Sequence, residues 1–275
     1  MPPQSDYSEK LSQRNALFEK ALQYEKEHKW KDALKAYREA LKLDTNFFEA
    51  WLNAGAIYSR QGKIQKAIDC YRQALRCRQD KKALYNLASE FFKLSQYEES
   101  QQMLERAISL DKDFLQAYIL LAYVYEKLRQ SQKAEAAIKE ALRLDPENYS
   151  AQLALVLLYL ELDKKNLAAQ YLEKLLQKKP KDSYLLRLKA KLLLQENDLP
   201  QAIGLLQEIA SADKRVNDIA KDLSHLQDIM RDKKQKILDK KKLNKRDLFD
   251  LSMLEFFSGN PQRALEILSK GLREG

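Results

Sequence analysis

Apolar residues return three and four positions apart through most of the chain, in short stretches divided by polar breaks. That spacing draws one apolar stripe along a helix. The stretches come in pairs, and the pairs repeat. Segments beginning at Arg14, Phe48, Lys81, Leu115, Tyr149 and Ser183 are separated by 34, 33, 34, 34 and 34 residues, and a further segment begins at Lys245. The eighth position of these segments holds Ala21, Gly55, Ala88, Ala122, Val156, Ala190 and Ser252. The twentieth holds Ala33, Ala67, Ser100, Ala134, Ala168, Ala202 and Ala264. Small residues at these two places let paired helices approach closely. Larger ones at the fourth, eleventh and twenty-fourth, as in Trp51, Tyr58 and Tyr71, fill the gaps. One such hairpin cannot bury its apolar side alone, so neighbouring pairs must stack.

The breaks keep the same register. Gly62 and Gly259 fall at the fifteenth position, in the turn between paired helices. Pro146 and Pro180 fall at the thirty-second, between pairs. Pro200 and Asn260-Pro261 read as helix starts. The Leu-Asp pairs at Leu43-Asp44, Leu110-Asp111 and Leu144-Asp145 mark helix ends. With 6 Gly and 6 Pro in 275 residues, nearly the whole chain is expected to be helical.

The stretches WLNAGAIYSRQGKIQKAIDCYRQAL and AYILLAYVYEKLRQSQKAEAAIKEALRLDP resemble the tetratricopeptide-repeat (TPR) family. The resemblance runs from Arg14 to Val216, then from Lys245 to Gly275. It implies an all-α, right-handed superhelical solenoid of antiparallel TPR helix pairs. The organisation expected is a flexible arm over 1–13, then six units over 14–47, 48–80, 81–114, 115–148, 149–182 and 183–216. An irregular basic helical segment, 217–244, and a degenerate seventh unit, 245–275, follow. In that last unit Glu255 stands where the family has an aromatic residue.

In the family the first helix of each unit lines a partner-binding groove. Carried over residue by residue, the candidate groove is Asn53, Lys82, Tyr85, Asn86, Phe92, Ile119, Leu120, Tyr123, Leu153 and Leu157. Asn53 and Asn86 recur at one position; each amide can grip a peptide backbone or simply be solvated. From the third unit onward the groove turns apolar, which calls for a cover: an apolar or helical partner segment, or the chain's own C-terminal part. The family's two-carboxylate clamp for chaperone C-terminal tails would need Lys and Asn where Phe18 and Leu22 stand and Arg where Asn86 stands, with matches only at Asn53 and Lys82. That argues against a chaperone tail as partner.

Across Arg231–Arg246 nine basic residues, Arg231, Lys233, Lys234, Lys236, Lys240, Lys241, Lys242, Lys245 and Arg246, face two acidic ones. The run reads first as a solvated helix joining two parts of the solenoid, then as a docking patch for an acidic partner, then as a nucleic-acid or membrane patch. It has no aromatic residue for base stacking before Phe249. The overall net charge of +9 permits such partners without demanding them.

Nothing in the sequence assembles chemistry. His28 and His225 are far apart and no CxxC, HExxH or glycine-rich phosphate loop occurs, so no metal, cofactor or catalytic residue is expected. Cys70 and Cys77 stand at the twenty-third and thirtieth positions, where other units carry apolar residues, and read as small buried hydrophobes. Reduced cysteines and a first segment without an apolar h-region suit a cytoplasmic protein. Ala151–Asp163, the most apolar stretch, is too short to span a bilayer. The sequence thus reads as a non-enzymatic scaffold or adaptor that binds another protein. The alternative is an RNA-associated helical-repeat protein using 231–246.

Overall fold

The computed structural model describes residues 4–195, 198, 201–202, 204–205, 209, 228, 231–240, 242–257 and 262–267. Every regular element among them is a helix. In chain order these are α1 (Gln4–Lys26), α2 (Trp30–Leu43), α3 (Phe48–Arg60), α4 (Ile64–Cys77), α5 (Lys81–Lys93), α6 (Tyr97–Leu110), α7 (Leu115–Lys127), α8 (Ser131–Leu144), α9 (Tyr149–Glu161), α10 (Lys165–Lys178), α11 (Ser183–Gln195) and α12 (Lys245–Phe257). Residues 231–238 are also helical. The fold is an all-α solenoid of antiparallel helix pairs. The chain divides into two compact units, 1–158 and 159–275.

The first unit shows why the repeat positions need their residue types. α1 packs on α2, α3 on α4, α5 on α6 and α7 on α8. The eighth and twentieth positions sit at these seams: Ala21, Ala33, Ala67, Ala88 and Ser100 are fully buried. Ser100 tolerates this because its hydroxyl donates to the Ala88 carbonyl at 2.8 Å. Gly55 is tightest of all. A Cβ there would lie 2.6 Å from the Tyr71 ring.

A single turn closes each pair. His28, Gly62, Ser95, Arg129 and Asp163, all at the fifteenth position, have φ of 57, 70, 60, 59 and 54°. In each, the amide of the next residue donates back to the eleventh position: Lys29 to Tyr24, Lys63 to Tyr58, Gln96 to Phe91, Gln130 to Tyr125 and Lys164 to Tyr159, at 2.8 or 2.9 Å. This is the Schellman closure, which satisfies helix carbonyls through a left-handed residue. Only one of the five positions is glycine, so the others hold a side chain in a conformation that costs about 1–2 kcal/mol. Ser95→Gly is therefore expected to stabilise the first unit by about 1 kcal/mol. A urea midpoint followed by tryptophan fluorescence checks it, since Trp30 and Trp51 both lie in this unit.

Asp44, Asp111 and Asp145 follow the last residues of α2, α6 and α8. Their carboxylates accept from the amides of Asn46, Asp113 and Glu147, two residues on, at 2.9, 3.0 and 3.2 Å. Each thereby stops one helix and starts the link to the next pair. Lys81 also bonds Asp111 and holds its carboxyl below the usual carboxylate range. Asp80 and Asp182 cap α5 and α11 through amides two and three residues ahead.

One expectation changes. The arm foreseen over 1–13 is helical from Gln4, as the front of α1. No Gly or Pro follows Pro3 in that stretch, so nothing stops the helix from running on past the pair. Gly259, Pro200 and Asn260-Pro261 lie outside the described residues, as does most of 196–230.

Candidate functional site

Neighbouring pairs in the first unit touch through α2–α3, α4–α5 and α6–α7, and also through the first helices, α3 to α5 and α5 to α7. α3, α5 and α7 thus form a continuous layer. All ten candidate groove residues belong to this unit, on α3, α5, α7 and α9.

The two asparagines are not equivalent. Asn53 Nδ2 donates to the Tyr37 hydroxyl at 3.1 Å, and that hydroxyl donates to Glu25 at 2.5 Å. Part of the Asn53 amide is therefore committed within the chain. Burial and the Glu25 carboxylate push the Tyr37 phenol far up, so it stays a donor. Asn86 has no such tyrosine. At the equivalent of Tyr37, Tyr71 makes no hydrogen bond to it. The half-buried Asn86 side chain makes no hydrogen bond to the described residues, which leaves both its donor and its acceptor available.

Apart from Lys82, the other candidates from the third unit onward are apolar or aromatic. Tyr85, Phe92, Ile119, Leu120, Tyr123, Leu153 and Leu157 are all half-buried, and Lys82 is exposed. Tyr85 leans on Phe114 at 5.4 Å between ring centroids, and Phe92 meets Tyr97 edge-on at 5.6 Å. These contacts hold the rings in place while leaving part of each uncovered.

A polar cluster that sequence reading missed sits at the end of this layer. Glu90, only 1% exposed, accepts from Ser59 Oγ at 2.6 Å and Lys93 Nζ at 2.7 Å. Its other oxygen has no partner among the described residues. The available signal was positional: Glu90 stands tenth in its segment, where Ile57, Val124 and Leu158 are core residues. The cluster anchors Lys93, a cation at the groove end, to a buried carboxylate.

The basic run of the second unit is not the solvated helix first read from it. Lys233 pairs with Asp250 at 3.6 Å, Lys234 with Glu255 at 2.9 Å and Lys240 with Asp247 at 2.5 Å, all on α12. Arg231 and Lys236 pair locally with Asp228 and Asp232. Ile237 is buried. The run thus lies against α12, because that helix supplies the carboxylates the run lacks. Lys242 and Arg246 are exposed, while Lys241 and the side chain of Lys245 lie outside the described residues. Asn244 and Asp247 exchange amide bonds at 3.1 and 2.9 Å, a capping box at the start of α12. The Lys240 ammonium and that amide hold the Asp247 carboxyl below its usual range.

No group of metal-ligating side chains occurs among the described residues, nor is any described helix long and apolar enough to cross a membrane. Both cysteines are free thiols. Cys70 is buried, which pushes its pKa up to about 11, so it is a poor nucleophile.

Family models described as tetratricopeptide repeat match residues 48–81, 85–149, 119–183 and 153–215, and one described as TPR repeat matches 22–62. No curated protein matches the chain by sequence. Among solved structures, a tetratricopeptide repeat protein from Parabacteroides merdae superimposes with a TM-score of 0.70 at 17% identity, covering 95% of this chain and 99% of that one. MamA is similar over 58% of this chain and 95% of its own, at 26% identity and a TM-score of 0.56. YrrB, described as a TPR protein with an unusual peptide-binding site, is similar over 62% of this chain and 87% of its own, at 22% identity and a TM-score of 0.55. With matches running through nearly all of 22–215 and the paired helices in register, the chain belongs to the tetratricopeptide-repeat family.

Proposed function

We propose that the protein is a non-catalytic scaffold that holds an apolar segment of a partner protein against α5, α7 and α9. The repeat fold is one that supports protein–protein interaction. What supports the finer reading is that the chain keeps an amide without a side-chain hydrogen bond, Asn86, and half-buried Tyr85, Leu120, Tyr123 and Leu157 at the repeat positions that line the family's groove. A half-buried apolar row gains free energy from further burial, at about 25 cal/mol per Å². The amide meanwhile reads the backbone of whatever lies across it. Asn53, tied to Tyr37, orients the early part of the groove more than it grips.

The test is crosslinking mass spectrometry of the tagged chain in its native cell, comparing wild type with Tyr85→Ala plus Tyr123→Ala. Aromatic anchors of this kind cost roughly 2 kcal/mol each on truncation, so groove partners are expected to fall at least about thirtyfold in affinity. Asn86→Ala is expected to weaken the same partners about fivefold. A set of partners unchanged in both variants would sink the assignment. The RNA-associated alternative rests on Lys242 and Arg246 and on whatever cations α12 leaves unpaired. It requires affinity that drops steeply with salt.

A further inference from the structure

The second helices of the first unit leave clefts between them, and two of these fall in the same repeat register. One, of about 360 Å³, lies between α2 and α4 over α3, with Leu34, Leu41, Trp51 and Tyr58 in its wall and Arg38 and Lys42 at its edge. The other, of about 410 Å³, lies one repeat on, between α4 and α6 over α5. Leu41 and Lys42 of the first become Leu75 and Arg76 of the second, and Tyr58 becomes Phe91. The second cleft has Leu87 and Phe91 as its floor and Leu75 and Met103 as its walls. Arg72, Arg76 and Arg106 surround it.

All three of these arginines bond neutral groups. Arg72 lies over the Phe91 ring at 5.7 Å. Arg76 donates to Gln73 at 3.4 Å, and Arg106 donates to Gln79 at 2.8 Å. Among the described residues none of the three is in an ion pair. Glu99 is the only carboxylate of the lining, so the cleft carries an excess of two positive charges. The repeat itself does not impose this. At the next register Glu105 replaces the arginine of the twenty-fifth position and accepts from the Tyr125 hydroxyl at 3.0 Å, and Ser109 replaces the cation of the twenty-ninth. An apolar floor under unpaired guanidinium groups matches a ligand with a large apolar side chain flanked by carboxylates, since guanidinium pairs carboxylate in a two-bond fork.

We propose that this face docks an acidic segment of a partner protein. A Leu, Met or Phe side chain enters the α4–α6 cleft, carboxylates rest on Arg72, Arg76 and Arg106, and a second apolar side chain reaches the α2–α4 cleft. Nucleic acid fits less well: Phe91 is only 6% exposed, beneath Arg72, and offers no open ring for a base to stack on. The surface is separate from the groove. α5 turns Tyr85, Asn86 and Phe92 to one and Leu87 and Phe91 to the other, so the chain can hold two segments at once.

The experiment selects a displayed library of random short peptides on the full chain, with counter-selection on Arg72→Ala/Arg76→Ala/Arg106→Ala. These side chains are exposed, apart from the fold's core, and the matching Arg→Lys triple controls for folding. Expected winners carry Asp or Glu around Leu, Met or Phe. A synthetic winner should bind at least about tenfold more weakly to the alanine triple and more weakly as salt rises, and keep most of its affinity for the lysine triple. It should bind Tyr85→Ala/Tyr123→Ala as tightly as wild type, which separates this face from the groove. Winners without acidic residues, equal binding to the alanine triple, or no enrichment would each overturn the proposal. So would a single-stranded oligothymidine that binds wild type, loses affinity for the alanine triple, and outcompetes every acidic peptide.

Discussion

Gly55→Val is expected to cost the first unit about 3 kcal/mol of stability, and adding Tyr71→Leu should recover much of it. The ideal Cβ at Gly55 falls 2.6 Å from Tyr71 Cε1 and 2.8 Å from Cδ1, inside any real carbon contact. Tyr71 cannot easily retreat. It is 2% exposed and packed with Ala67, Ile68, Leu87 and Phe91. The valine methyls therefore push the ring, or α3 moves off α4. The gain from replacing a helical glycine is only about 0.5 kcal/mol and does not offset this. Tyr71→Leu alone has the opposite fault, leaving a void beside the glycine. Leucine already serves at the twenty-fourth position of this unit, as the fully buried Leu104. Urea unfolding read by tryptophan fluorescence should show a coupling of roughly 2 kcal/mol between the sites. Simple addition of two losses would mean that the Gly55–Tyr71 contact does not govern the seam.

This seam was legible in the sequence, and the reason is steric. A thirty-four-residue period with small residues at two fixed places has few meanings other than close helix approach. Ala33, Ala67, Ala134 and Ala168 are buried where that reading puts them. The turn was only partly legible. Gly62 announces a left-handed residue, whereas His28, Ser95, Arg129 and Asp163 adopt the same φ with nothing in their identity to reveal it. There the Schellman bonds and the packing of the pair override local preference. The front of α1 was misjudged for the converse reason. An exposed helix that packs on little leaves no periodic apolar signal, though its residues favour helix.

The candidate sites were less legible, because side-chain partners come from other segments. Asn53 and Asn86 look alike in sequence, and only the Tyr37 hydroxyl tells them apart. Each residue of the α4–α6 cleft reads singly as core or as a charged outer face; the cleft exists only where α4, α5 and α6 meet. The basic run looked like a surplus of charge because its counter-charges, Asp247, Asp250 and Glu255, lie on the next helix and are spread through an apolar pattern.

Glu255 supplies the second large effect, and its sign depends on which partner is removed. The side chain is 1% exposed, with Lys234 Nζ at 2.9 Å and Arg263 Nε at 3.4 Å, whereas those cations are 31% and 67% exposed. Lys234→Met plus Arg263→Met removes two cations that pair with the buried carboxylate. Breaking the ion pairs of a buried carboxylate costs about 3–5 kcal/mol, so the second unit should lose roughly 3 kcal/mol. Glu255→Met removes the charge itself and keeps the volume. The two cations then turn to water, which they already reach, and the loss should stay below about 1 kcal/mol, or become a gain. Combining all three changes should return most of the stability lost in the double variant. The measurement is hydrogen exchange of α12, with tryptophan fluorescence as internal reference, since both tryptophans report only the first unit. Glu255→Met proving as damaging as loss of both cations would show that the carboxylate holds α12 through its other bonds, and that the basic run is not its essential counter-charge.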